Sequence, residues 1–134
     1  MQPTQTLSVR NKRTYLLFAL LWTIIVTILS LISINSNIGS FIKIENKDKY
    51  VHFTFYFVFV ILWSQFVKSK GLNSKAKLMI LLSAMGYGIL MEICQELFTK
   101  TRTADVLDVL ANSLGAALGL IVVSMLNKNK EATQ

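Results

Sequence analysis

Residues Tyr15–Ile34 read YLLFALLWTIIVTILSLISI, twenty positions without a single charged side chain. A helix rises about 1.5 Å per residue, so roughly 20 apolar residues cross the hydrocarbon core of a bilayer. The run follows Arg10, Lys12 and Arg13, the kind of flank that anchors a helix end in the cytoplasm. A cleaved leader also opens on positive charge, but its apolar part runs only about 7–15 residues and closes on small side chains. This run is longer, and a retained helix is expected.

Three more apolar stretches follow. Tyr50–Val67 contains no Asp, Glu, Lys or Arg and is rich in aromatics. Its phenylalanines at 53, 55, 57 and 59 alternate as on a strand, yet the residues between them are apolar too. A helix that is hydrophobic all round fits better, because a strand facing lipid outside a closed barrel leaves its backbone groups unpaired. Leu78–Phe98 forms a third span and Asp105–Leu126 a fourth, separated by the polar connections Asn35–Asp48, Lys68–Lys77 and Thr99–Ala104. The expectation is an all-α integral membrane bundle of four transmembrane helices over 15–126, with tails at 1–14 and 127–134.

Composition agrees with that class. The chain has 134 residues, 53% of them hydrophobic and 16% charged, with mean hydropathy +0.51, too apolar for an ordinary water-soluble domain. Once the spans are assigned, no stretch remains for a separate catalytic domain. The formal charge of +7 raises nucleic acid as a partner, but the basic residues sit in small groups between apolar runs rather than along one helix face, so none is expected. With the N-terminus in the cytoplasm, nine basic residues fall inside (Arg10, Lys12, Arg13, Lys68, Lys70, Lys75, Lys77, Lys128, Lys130) and five outside (Lys43, Lys47, Lys49, Lys100, Arg102). Both tails are therefore expected to be cytoplasmic.

That topology brings three polar groups to one membrane depth, at the outer end: Asp48, Lys49, His52 and Tyr56; Glu92, Gln95 and Glu96; Arg102, Asp105, Asp108 and Asn112. Ionisable groups in hydrocarbon cost roughly 2.5–3.5 kcal/mol each on insertion scales, so they face a bundle interior or a wet cavity and find partners. Residues three and four apart share a helix face, which aligns Glu92 with Gln95 and Glu96, and Asp105 with Asp108 and Asn112. Gly115 and Gly119 extend the last stripe as small residues suited to close helix packing. One reading of the polar groups is a structural lock, with Glu92 or Asp108 paired to Arg102, Lys49 or His52. Because desolvation offsets the attraction within buried ion pairs, a binding cavity accounts better for so many of them. His52 beside carboxylates also suits general acid–base chemistry. His52, Glu92, Glu96 and Asp108 hold too few metal-ligand signals for a metal to be expected. The lone Cys94 forms no intramolecular disulfide, and no nucleophile motif, phosphate loop or cofactor fingerprint is present.

The ordered set Asp48-Lys49-x-x-His52-Phe53, Tyr56, Glu92-x-x-Gln95, Arg102, Asp105, Asp108, Asn112, Gly115 and Gly119 resembles the pattern of the VanZ-like family over roughly Asp48 to Gly119, with the first span as the family's leading helix. Glu96 joins the group on helix geometry alone. The resemblance implies a small multi-pass protein of the bacterial cytoplasmic membrane, related to a factor associated with resistance to the glycopeptide teicoplanin, and it implies no particular reaction. Together these readings lead to an expected binding protein whose polar cluster recognises an amphiphilic envelope lipid, precursor or glycopeptide. An intramembrane enzyme acting on a lipid headgroup, or an oligomer-forming partner subunit of a membrane complex, stands as the alternative.

Overall fold

The computed structural model describes residues 4–32, 47–68, 72–99 and 102–131. They form four α-helices and no strand: α1 (Thr4–Leu31), α2 (Lys47–Lys68), α3 (Ser74–Phe98) and α4 (Val106–Glu131). Each contains a segment long and apolar enough to cross a membrane. The connection at 35–46, with Lys43, and the loop residues Lys70 and Lys100 lie outside the described residues.

The helices outrun the apolar stretches that reveal them. α1 begins at Thr4 rather than Tyr15, and α4 continues to Glu131, because hydropathy marks only the part that needs lipid whereas backbone hydrogen bonding continues through residues such as Lys and Arg that favour helix. Local capping sets two starts. The Asn73 side chain accepts the Ala76 amide at 2.8 Å, and Asp105 Oδ1 accepts the Leu107 amide at 2.8 Å, each satisfying a donor that the first helical turn leaves without a partner.

The α2 helix is the centre of the bundle. It packs on all three others, most extensively on α4, while α1 and α4 do not meet among the described residues. Its inner face places Tyr56, Phe59 and Val60 against Val26, Ile80, Ala84 and Ala116. Leu17, Phe18, Leu82, Leu114 and Ile121 point outward and are at least half exposed, as lipid-facing side chains can be. Lipid is as apolar as leucine, so such helices are held together by close packing and hydrogen bonds rather than by a hydrophobic drive.

Both devices are visible. A Cβ at Gly115 would overlap the carbonyl oxygen of Phe53, and one at Gly119 would lie 2.7 Å from that of Phe57, so the stripe is filled by this chain's own α2. Polar side chains tie α1 to its neighbours: Trp22 Nε1 donates to the Phe55 carbonyl at 3.0 Å, Trp63 Nε1 to Thr23 Oγ1 at 3.3 Å, and the Tyr87 and Thr27 hydroxyls meet at 2.7 Å. Near the far end of α1, Gln95 Nε2 donates to the Ser30 carbonyl at 3.1 Å.

Gly115→Ala should therefore destabilise the bundle by about 1–3 kcal/mol, the usual cost of overpacking. A Cβ at Gly86 would meet nothing within 4 Å, so Gly86→Ala should be neutral or slightly stabilising. Helicity followed through a denaturing-detergent titration compares the two.

Candidate functional site

The antiparallel course of the chain gathers the start of α2, the end of α3 and the start of α4 at one end of the bundle. Lys49, the third residue of α2, extends its ammonium to α4. Its Nζ lies 2.7 Å from Asp105 Oδ2, 2.9 Å from Asp108 Oδ1 and 3.2 Å from Asp48 Oδ2. This single cation thereby joins a carboxylate of its own helix to the cap and first turn of α4. Lys49 also holds the Asp105 carboxyl below the ordinary aspartate range, with the Leu107 amide adding to the effect.

One turn deeper, His52 lies with carboxylates at both edges of its ring. Nδ1 is 3.1 Å from Asn112 Oδ1 and 3.7 Å from Glu92 Oε1, while Nε2 is 3.6 Å from Asp108 Oδ2. The amide oxygen of Asn112 can only accept, so a neutral His52 has its one N–H committed there. Glu92 is almost fully buried. Its Oε2 accepts the Asp105 amide at 3.2 Å, crossing from α3 to the cap of α4. Its Oε1, the Asn112 Nδ2 and the Tyr56 hydroxyl are buried without a hydrogen-bond partner among the described residues.

Above this layer is a cleft of about 190 Å³ lined by Asp48, Gln95, Arg102, Thr103, Asp105 and Asp108. Arg102 borders it and forms no ion pair within 4 Å among the described residues. The structure thus brings together Asp48, Lys49, His52, Glu92, Gln95, Arg102, Asp105, Asp108 and Asn112, with Tyr56 as the buried floor. It does not bring in Glu96, which is exposed. Helical spacing puts Glu96 beside Glu92, but the inward face of α3 is the one carrying Gly88, Met91, Glu92 and Gln95, and Glu96 falls past its edge.

Two contributors have weak sequence signals. Thr103 lines the cleft from an irregular stretch with no periodicity to place it. Gly88 makes room for the layer, since a Cβ there would come 3.1 Å from Asn112 Nδ2 and 3.4 Å from the Tyr56 ring. Pairing between Gly88 and Asn112 is a tertiary fact that neither residue announces.

Four membrane-length helices with a buried polar layer closing one end define a multi-pass helical membrane protein. A family model described as VanZ/LLP1 matches residues 2–127, and the chain belongs to that family. No curated protein and no solved structure matches it.

Lys49→Met should lower the thermal unfolding midpoint in detergent by several degrees. Most of the loss is expected from Asp108, which would be left buried with a bare charge, because Asp48 and Asp105 keep about 40% of their side chains exposed and are screened. Adding Asp108→Asn to that variant should recover part of the loss. The pH dependence has a defined sign. Asp105 is held below its ordinary value, so its contribution is present above that value and disappears as pH falls through the lower folded one. Acid unfolding of the wild type should therefore include a step below about pH 4 that Lys49→Met removes.

Proposed function

We propose that the polar end of the bundle binds the headgroup of an amphiphilic cell-envelope molecule, a lipid-linked precursor or an acylated glycopeptide, while the bilayer keeps its tail. The observation that carries this reading is the cleft bounded by Asp48, Gln95, Arg102, Thr103, Asp105 and Asp108 at the end of otherwise apolar helices. A headgroup rich in hydroxyls or amines would find carboxylates, an amide and a guanidinium there, and the exposed apolar flanks of α3 and α4 would accompany its tail. Membership in the VanZ family suits such a role, including one in glycopeptide resistance. On this reading the protein sits in the bacterial cytoplasmic membrane, both termini inside and the cleft outside, as the distribution of lysine and arginine favours.

A second reading has its own observation. His52 between Glu92 and Asp108 has the composition of a general acid–base group, which favours an intramembrane enzyme acting on a bound headgroup. Turnover of a native lipid extract by the purified protein, lost in His52→Gln with helicity retained, would support it.

The binding reading is tested by mass spectrometry of the molecules that the protein retains when gently purified from its native membrane. The wild type should carry a specific envelope amphiphile. An Arg102→Gln, Asp105→Asn variant of unchanged helicity should have lost at least tenfold of it, about 1.4 kcal/mol of binding. Equal retention of bulk lipid alone by both would reject the reading.

A further inference from the structure

We infer that His52, Glu92 and Asp108 form a binding site for one first-row divalent metal ion, of the zinc or manganese kind, beneath the cleft. One ligand atom from each of the three lies within 4.8 Å of the others, and all three residues are buried. Donors about 2.1 Å from a common ion lie about 3.4 Å apart in a tetrahedral shell, so the side chains need to close by up to about 1.4 Å.

The hydrogen bonds at this spot are incomplete in a way that a cation completes. The one N–H of a neutral His52 goes to Asn112 Oδ1. That leaves the carboxylate oxygens at 3.6 and 3.7 Å from the ring without a donor from it, and Glu92 Oε1, in a side chain only 3% exposed, has no hydrogen-bond partner among the described residues. A buried acceptor without a partner costs roughly 1–3 kcal/mol, more when it is charged.

Charge balance points the same way. Asp48, Glu92, Asp105 and Asp108 supply four carboxylates around the site, and Lys49 and Arg102 supply two permanent cations. With all four carboxylates ionised, a divalent ion brings the group to neutrality. The neighbouring carboxylate centre formed by Asp48, Asp105 and Asp108 already has its cation, because Lys49 Nζ lies within 3.2 Å of all three.

One imidazole nitrogen with two carboxylates is a mixed donor set that suits zinc or manganese better than the all-oxygen shells of calcium or magnesium. An amide oxygen on the other ring nitrogen is the usual outer partner of a metal-bound histidine. Three protein ligands leave at least one coordination position open, and Asp108 is shared with the lining of the cleft. The metal site stands on these three side chains whether or not the cleft holds a headgroup.

The test uses full-length protein in detergent, stripped with a chelator and dialysed against Zn²⁺ or Mn²⁺ alone, with bound metal measured by mass spectrometry. The wild type should hold one ion per chain, and its unfolding midpoint should rise on metal addition. Glu92→Gln and Asp108→Asn should each weaken binding at least about tenfold, while Glu96→Gln, at an exposed carboxylate outside the site, should not. Should the variants fail to fold, the wild-type stoichiometry and midpoint still decide. A wild type that retains no stoichiometric ion, or a loss as large in Glu96→Gln, would overturn the site and leave His52, Glu92 and Asp108 as part of a structural lock.

Discussion

The ammonium of Lys49 among the carboxylates of Asp48, Asp105 and Asp108 is the contact on which the polar end depends. It fixes the start of α2 against the start of α4 at a level where apolar side chains give way to charged ones. Bringing these groups together in isolation would be costly, because ionisable side chains at membrane depth must find partners. The cost is contained because one cation serves three anions, two of which remain well exposed, and because Asp105 doubles as the cap of α4. Close approach of the two helices then follows from Gly115 and Gly119, whose missing side chains let α4 lie against the carbonyls of Phe53 and Phe57. Charge holds the α2–α4 pair at its polar end, and absence of side chains holds it along its length.

Once that pair is set, α3 is positioned by what it has to reach. Glu92 accepts the Asp105 amide from one side and faces His52 from the other, while Gln95 extends to the Ser30 carbonyl of α1. The three groups of polar residues thus form two layers. The upper one, Lys49 with its aspartates, has its hydrogen bonds made. The lower one, His52 with Glu92, Asp108 and Asn112, retains buried atoms without hydrogen-bond partners among the described residues. A lock that served stability alone would be expected to resemble the upper layer, since unsatisfied buried polar atoms oppose folding. Their concentration in the lower layer, under an open cleft, is what supports the proposed ligand-binding role.

Much of this was legible before any coordinates. Four apolar runs separated by short polar connections define an all-helical membrane bundle almost by length alone, and an antiparallel course then brings Asp48, Glu92 and Asp108 to the same end. Family resemblance pointed to the same residues. What sequence could not supply was rank within the cluster. Lys49 is one of three cations that sequence offers as a partner for Glu92 or Asp108, and it contacts three carboxylates at once, Asp108 among them. Arg102 looks like the natural partner of Glu92 or Asp108, yet it borders the cleft without an ion pair among the described residues. Glu96 has the spacing of a site residue and lies outside, because a face assigned from i, i+3 and i+4 positions is broader than the stripe that a neighbouring helix covers. Helix ends are a separate matter: hydropathy marks the apolar run from Tyr15, whereas α1 begins at Thr4.

The central claim is that the polar end is a built ligand site rather than a closed ionic lock. A cryo-EM reconstruction of the protein in nanodiscs formed from its native lipid extract tests it most directly. The account predicts non-protein density in the cleft within hydrogen-bond distance of Arg102 or Asp105, above a His52 ring still flanked by Glu92 and Asp108. A map in which Arg102 closes directly onto Glu92 or Asp108 and no cleft remains would contradict it.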